Sequence, residues 1–272
     1  METTRPANGA PQGRIMTTQF SLARRLKAGE TVFTGWCPLP YPIVAETIAR
    51  EGFVAVTIDQ QHGLWDTAAT VTGIAAIRQG GAAPIVRIPL ATFAAASRAL
   101  DFGAEGIVAP MINTIEDARA FVSATKYPPI GERSWGPHRA VTLAGVADMK
   151  TYLREANDLV VAIAMIETRT ALANLDAIAA TPGIDVLFVG PSDLSIALSD
   201  GAEVEPHSPA VERELDRVVA AARKANKIAG LYCANAERAL FGAKRGFRFC
   251  AVGSDLGFLR AGTAAQLKVL KG

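Results

Sequence analysis

Short, nearly unbroken apolar runs recur along the chain, each followed by a stretch with helical spacing. The clearest pair lies within residues 160–198. Residues 160–166 are almost wholly apolar and stop at Glu167. Residues 184–189 stop at Gly190-Pro191-Ser192-Asp193. Between them, 171–180 is rich in Ala and Leu and closes at Pro182-Gly183, which predicts a helix. Strand, helix and strand in this order make a right-handed parallel βαβ unit. Glu167 and Asp193 then stand at the same end of neighbouring strands. Two carboxylates converging on one point repel unless something positive lies between them, and a divalent metal ion fits that role.

The rest of the chain repeats the pattern. A short amphipathic helix is predicted at 21–28, with Leu22 and Leu26 on one face. Further strands are predicted at 31–37, 53–58, 84–86, 106–110, 228–232 and 249–252. Helices are predicted at 43–50, 67–78, 93–101, 115–125, 146–155, 209–225, 237–245 and 256–270, with a short one at 194–198. The segment Y-P-P-I-G-E-R-S-W-G-P-H-R, 127–139, carries too much Pro and Gly for regular structure. A loop of that length in a compact domain is usually functional. Eight strands alternate with helices, and they are near-continuously apolar, as parallel strands covered on both faces should be. The predicted fold is α/β, a single-domain (β/α)8 barrel over 18–272. No G-x-G-x-x-G follows the first strand, so a dinucleotide fold loses support. Residues 1–17 are polar with Pro and Gly and predict a disordered tail without the apolar core of a signal peptide.

Composition changes this picture little. The length of 272 residues suits such a barrel. A net charge of +2 gives no argument for nucleic acid or an anionic membrane as partner. Cys37, Cys233 and Cys250 share no C-x-x-C spacing and lie in or beside apolar runs, so buried reduced thiols and a cytoplasmic location are expected. No apolar run is long enough to span a bilayer.

On a barrel, chemistry gathers at the C-terminal ends of the strands. The sequence puts Trp36, Asp59, His62, Arg87, Pro110, Met111, Asn113, Glu167, Gly190 to Asp193, Asn235, Ser254 and Asp255 there. This set suits a metal, an anionic substrate and a proton transfer. Each residue also has a plainer role open to it. Asp193 could cap the short helix after it. Glu167 could be an N-cap or pair with Arg169. His62 could pack on Trp65, or be oriented by Asp59 three residues earlier. Arg87 could form a barrel-end salt bridge with Asp59 or Glu167. Trp36 could be core or pocket wall, while His138 and His207 read as surface residues.

The motifs I-D-x-x-H, V-R-I-P, V-A-P-M-I, Y-P-P-x-G-x-R, M-I-E-T and V-G-P-S-D-L-S carry a resemblance. Over nearly the whole chain from about residue 18, the sequence resembles the HpcH/HpaI family of class II pyruvate aldolases. That family includes 4-hydroxy-2-oxoheptanedioate aldolase and 2-dehydro-3-deoxyglucarate aldolase. The resemblance implies a barrel aldolase that cleaves a 4-hydroxy-2-oxo acid to pyruvate, or an analogue such as hydroxypyruvate, and an aldehyde. It implies a Mg²⁺, Mn²⁺ or Co²⁺ ion and no Schiff-base lysine, and no lysine lies in or just after a predicted strand core. It assigns Glu167 and Asp193 as metal ligands, Arg87 to the oxo or enolate oxygen, and His62 with Asp59 to the proton. The backbone at Gly190-Pro191-Ser192-Asp193, chiefly the N–H groups of Ser192 and Asp193, would hold the pyruvate carboxylate.

Two positions depart from many relatives. Met165 stands where a Gln is common, beside the pyruvate site, and Gln61 stands where a Glu precedes the histidine. Both bear on substrate and rate. An acyl-CoA lyase resembling the citrate lyase β-subunit is an alternative, although no basic cluster for CoA phosphates appears near the rim. A barrel that binds oxo acids without turnover is another. The apolar positions of 256–270 exceed one helical stripe, so more than one face needs cover. The resemblance implies that this helix is exchanged between protomers of a hexamer.

Overall fold

A computed structural model describes residues 20–271. The tail expected at 1–17 lies outside the described residues. Eight parallel strands close into a barrel in sequence order: β1 (Val32–Cys37), β2 (Ala55–Asp59), β3 (Ala83–Arg87), β4 (Gly106–Ala109), β5 (Val161–Ile166), β6 (Val186–Val189), β7 (Ile228–Cys233) and β8 (Phe249–Val252), with β8 pairing back to β1. The (β/α)8 expectation holds. The strands are buried almost throughout, which is why they read as apolar runs.

Two layers of core explain the composition. Inside the barrel, Val32, Trp36, Ile85, Ile163, Phe188 and Phe249 pack together. Outside it, the opposite faces of the strands meet the helices through Val56, Ile107, Leu187 and Leu231. Helix α1 (Leu22–Lys27) lies against the N-terminal mouth, with Leu22 among the interior residues. Its first turn is held by the buried Glu105 carboxylate, which accepts from Ser21 N at 2.6 Å and Leu22 N at 2.8 Å and pairs with Arg78 at 2.7 Å.

The outer helices follow the predicted alternation: α2 (Pro42–Arg50), α3 (Thr67–Gln79), α4 (Phe93–Asp101), α5 (Ile115–Thr125), α6 (His138–Ala144), α7 (Met149–Leu159), α8 (Arg169–Ala173), α9 (Leu175–Ala180), α10 (Pro191–Leu198), α11 (Pro209–Lys224), α12 (Ala236–Arg245) and α13 (Asp255–Lys271). Three differ from expectation. Helix α6 begins inside the segment read as irregular, and it buries only Ala140 and Ala144, too small a face to show as periodicity. Helix α7 starts later than expected, because Asp148 caps it by accepting from Thr151 N at 2.7 Å. The helix expected at 171–180 is two helices, broken at Asn174.

The segment at 127–137 is fixed by its own contacts. It packs outside the barrel: Arg133 pairs with Asp101 at 2.6 Å and lies 4.8 Å over the Tyr127 ring, while Trp135 lies tilted between the rings of Tyr127 and Tyr152. All three cysteines are buried and free, as expected. No helix among the described residues is long and apolar enough to cross a membrane.

Candidate active site

A cavity of about 240 Å³ opens at the C-terminal ends of the strands. Its walls include Trp36, Asp59, His62, Arg87, Met165, Gly190, Pro191, Ser192 and Asp193. The structure thus brings together almost every residue that the sequence singled out, and Glu167 stands behind Gly190.

One side is built by β1, β2 and β3. Asp59 and Arg87 are the last residues of paired strands and lie in register. Their side chains therefore meet: Arg87 Nε donates to Asp59 Oδ1 at 2.9 Å and Nη2 to Oδ2 at 2.6 Å. Trp36 Nε1 donates to Oδ2 at 3.2 Å, and the indole ring lies under the guanidinium at 4.9 Å. The backbone N–H groups of Gln61 and His62 donate to Oδ1 at 3.0 and 3.2 Å. Burial alone would raise the Asp59 carboxyl, but Arg87, the His62 N–H and Trp36 hold it below the usual carboxylate range.

This geometry decides between the readings left open. Arg87 forms the salt bridge with Asp59, not with Glu167, and it still lines the cavity. Asp59 holds the backbone of the turn that carries His62 rather than the imidazole. The turn closes tightly because residue 63 is glycine; a Cβ there would collide with the Asp59 and Pro38 carbonyls. His62 is exposed at the cavity edge, while Trp65 is buried and donates to Cys37 O at 2.7 Å. Trp36 is both core and wall: it is 2% exposed, stacks on Phe188 at 6.0 Å and meets Tyr232 edge-on at 5.5 Å.

The other side is built by β5 and β6. Glu167 directly follows β5 and is 2% exposed. Its Oε1 accepts from Met111 N at 2.9 Å. Neither plainer role suggested for it is found. Thr168 caps α8, and Arg169 bonds to the carbonyls of Ala197 and Leu198 and pairs with Asp200. Asp193 is in the first turn of α10, whose N-cap is Gly190, so it is not the cap. Burial pushes the Glu167 carboxyl up to about 7, and the negative charge of Asp193 adds to the rise against the Met111 N–H and Arg87.

A divalent cation fits this side. Burial chiefly, and then the negative charge of Asp193, raise the proton affinity of Glu167, and a cation held between the two carboxylates would relieve both. A Cβ at residue 190 would collide with Glu167 Oε2, so glycine leaves that oxygen its place. Among the described residues no group of three or more His, Cys, Asp or Glu converges. Two carboxylates are a poor structural zinc site but suit Mg²⁺ or Mn²⁺, which complete their shells with water and substrate oxygens. The N-terminus of α10, eight residues long with Pro191 at its start, presents the Ser192 and Asp193 N–H groups beside them.

Sequence reasoning missed Phe188, Tyr232 and Pro38 as wall residues. Phe188 and Tyr232 sit inside apolar strands, and only the closed register shows that they face inward near the top. Asn113, Asn235 and Asp255, placed at the rim by the sequence, are occupied structurally. Asn113 bonds to Thr168 and Asn174, Asn235 caps α12, and Asp255 accepts from Leu39 N at 2.9 Å.

Comparison with known proteins agrees with this architecture. The HpcH/HpaI aldolase/citrate lyase family model matches residues 33–261. The chain is 39% identical over 240 residues to a hydroxypyruvate/pyruvate aldolase of Rhizorhabdus wittichii, covering 86% of this chain and 91% of that one. It is 35% identical over 253 residues to a 5-keto-4-deoxy-D-glucarate aldolase of Klebsiella pneumoniae, covering 92% and 95%. The crystal structure of an HpcH/HpaI aldolase/citrate lyase family protein from Burkholderia cenocepacia superposes with a TM-score of 0.85 at 30% identity, covering 93% of this chain and all of that one. The chain belongs to the HpcH/HpaI aldolase/citrate lyase family and is a carbon–carbon lyase.

Proposed function

We propose that this chain is a divalent-metal-dependent aldolase that reversibly cleaves a 4-hydroxy-2-oxo acid to pyruvate, or hydroxypyruvate, and an aldehyde. The observation that carries the reading is the pair of carboxylates at neighbouring strand ends, Glu167 behind Gly190 and Asp193 in the wall of the cavity that the ion-paired Arg87 also lines. Glu167 and Asp193 would hold Mg²⁺, Mn²⁺ or Co²⁺. When bound, the ion supplies positive charge beside the oxo and carboxylate oxygens of the substrate.

The chain's own residues supply the rest. The Ser192 and Asp193 N–H groups receive the substrate carboxylate at the helix N-terminus. Arg87 faces the oxo oxygen, where negative charge grows as the C3–C4 bond breaks. Asp59 and Trp36 fix that guanidinium, so it need not reorganise during the reaction. His62, at the mouth, takes the proton of the 4-hydroxyl as the aldehyde departs, and a proton returned to C3 of the enolate completes pyruvate. Met165 puts an apolar thioether beside the oxo-acid end of the site.

The same reading extends to assembly. Helix α13 buries only Asp255, while Leu259 and Leu270 are 62% and 80% exposed. We propose a homo-oligomer, a hexamer, in which α13 packs on a neighbouring protomer; light scattering on the intact chain tests it. The chemical test is pyruvate release from 4-hydroxy-2-oxo acids and from acyl-CoA substrates, with and without EDTA. Cleavage of the oxo acids, lost in EDTA and restored by Mn²⁺, is expected. Cleavage of acyl-CoA substrates alone would mark an acyl-CoA lyase, and binding without cleavage would mark a non-catalytic barrel.

A further inference from the structure

Glu167 lies behind Gly190, a wall residue of the cavity, and the loop between β4 and α5 decides how it is held. Met111 lies in that loop with φ +53°, a left-handed conformation disfavoured for a residue with a side chain. In this conformation its N–H donates to Glu167 Oε1 at 2.9 Å. The next residue, Ile112, is fully buried and donates its N–H to Met165 O at 3.2 Å, so the loop folds back over the end of β5.

Asn113 ties the loop down. Its Oδ1 accepts from the hydroxyl of Thr168, the residue after Glu167, and its backbone carbonyl accepts from Asn174 Nδ2 at 2.9 Å. The Thr168 hydroxyl also accepts from Ala171 N at 3.0 Å as the cap of α8. Donor and acceptor roles of that hydroxyl are therefore both filled. On the far side, the Asn113 and Thr114 N–H groups donate to Asp117, which fixes the loop to α5. The loop is locked between the start of α5 and the start of α8, and its one N–H aimed at the site lands on Glu167.

We propose that Asn113, acting with Thr168, is a positioning residue that keeps the left-handed Met111 N–H on Glu167 Oε1 and so holds Oε2 against Gly190 for a divalent cation. This rests on the metal reading above. Partners one step removed from a metal ligand typically change its affinity by about 10–100-fold.

The test uses the full chain stripped of metal, with Mn²⁺ as the probe and the electron paramagnetic resonance signal of the free ion as the readout. Asn113→Ala removes the acceptor and leaves the α8 cap intact. Thr168→Val removes the hydroxyl, and Thr168→Ser keeps it. The expected result is a Mn²⁺ dissociation constant raised about tenfold or more in Asn113→Ala and Thr168→Val. Thr168→Ser should stay within about threefold of the parent, and metal-free Asn113→Ala should still unfold cooperatively. A less than threefold change in Asn113→Ala overturns the proposal, and so does a Thr168→Ser variant as weak as Thr168→Val. Failure of the parent chain to bind Mn²⁺ overturns the metal reading itself, and it is recognised because the parent rather than the variants fails.

Discussion

Two carboxylates on one rim are held in opposite ways. Asp59, on the β2–β3 side, receives five hydrogen bonds from Arg87, Trp36, Gln61 and His62 and is held below the usual carboxylate range. Glu167, on the β5–β6 side, receives one from the Met111 N–H, faces Asp193 and is pushed up to about 7. Both are about equally buried. The difference is compensation: Asp59 is ion-paired with Arg87, whereas Glu167 has no ion pair among the described residues.

Removing a charge from the uncompensated side should have the largest effect. Glu167→Gln or Asp193→Asn should lower turnover by about a thousandfold or more, an activation-barrier change of ~4 kcal/mol. Far-ultraviolet circular dichroism should show an unchanged fold. Turnover within tenfold of the parent would remove these residues from the metal site.

Removing a charge from the compensated side should act on stability instead. Asp59→Ala or Arg87→Ala leaves one buried charge without its partner and should cost about 3–5 kcal/mol. Urea unfolding measures it, and a loss under 1 kcal/mol would mean that the pair is not held as described. Arg87→Ala should also slow turnover, because a donor aimed at growing negative charge is lost.

The pH dependence separates the two sides further. Metal-free Glu167 binds a proton more tightly folded than unfolded, so its contribution to stability is full below about 4.5 and is lost as pH rises through about 7. The loss should be of the order of 3 kcal/mol. Asp59 runs the other way: its folded pKa is lowered, so its contribution is lost as pH falls below the usual aspartate range. Metal-free Glu167→Gln should flatten the neutral part of the profile and leave the acid part. An unchanged neutral slope would contradict the assignment.

How much of this could be read from sequence alone differs between the sides. Glu167 ends six buried residues and Asp193 follows the next strand within four, so the βαβ rule places them together without any coordinates. The roles on the other side were less legible. Asp59 and Arg87 are 28 residues apart, and only the β2–β3 register shows that they are directly paired. Sequence spacing suggested that Asp59 orients the His62 ring, whereas its carboxylate is filled by Arg87, Trp36 and backbone N–H groups. Phe188 and Tyr232 were hidden because an apolar strand residue looks the same whether it fills the barrel or lines its mouth. The contacts of the segment at 127–137 were not legible, because they join the loop's own Tyr127, Arg133 and Trp135 to Tyr152 of α7 and Asp101 of α4.

A smaller effect sharpens the comparison. Trp36→Phe deletes the indole N–H that reaches Asp59 while keeping a ring beneath Arg87. It should cost about 1.5–3 kcal/mol of stability, as loss of one hydrogen bond to a charged group. Metal affinity should not change, and a change of more than about threefold would show that the two sides are coupled through the cavity.

The most direct measurement is calorimetric titration of Mn²⁺ into three metal-stripped proteins: the parent chain, Glu167→Gln and Asp59→Asn. The expected result is one site in the parent, none in Glu167→Gln, and one of near-parental affinity in Asp59→Asn. Binding retained in Glu167→Gln, or lost in Asp59→Asn with the fold intact, would contradict the division of labour between the two carboxylates.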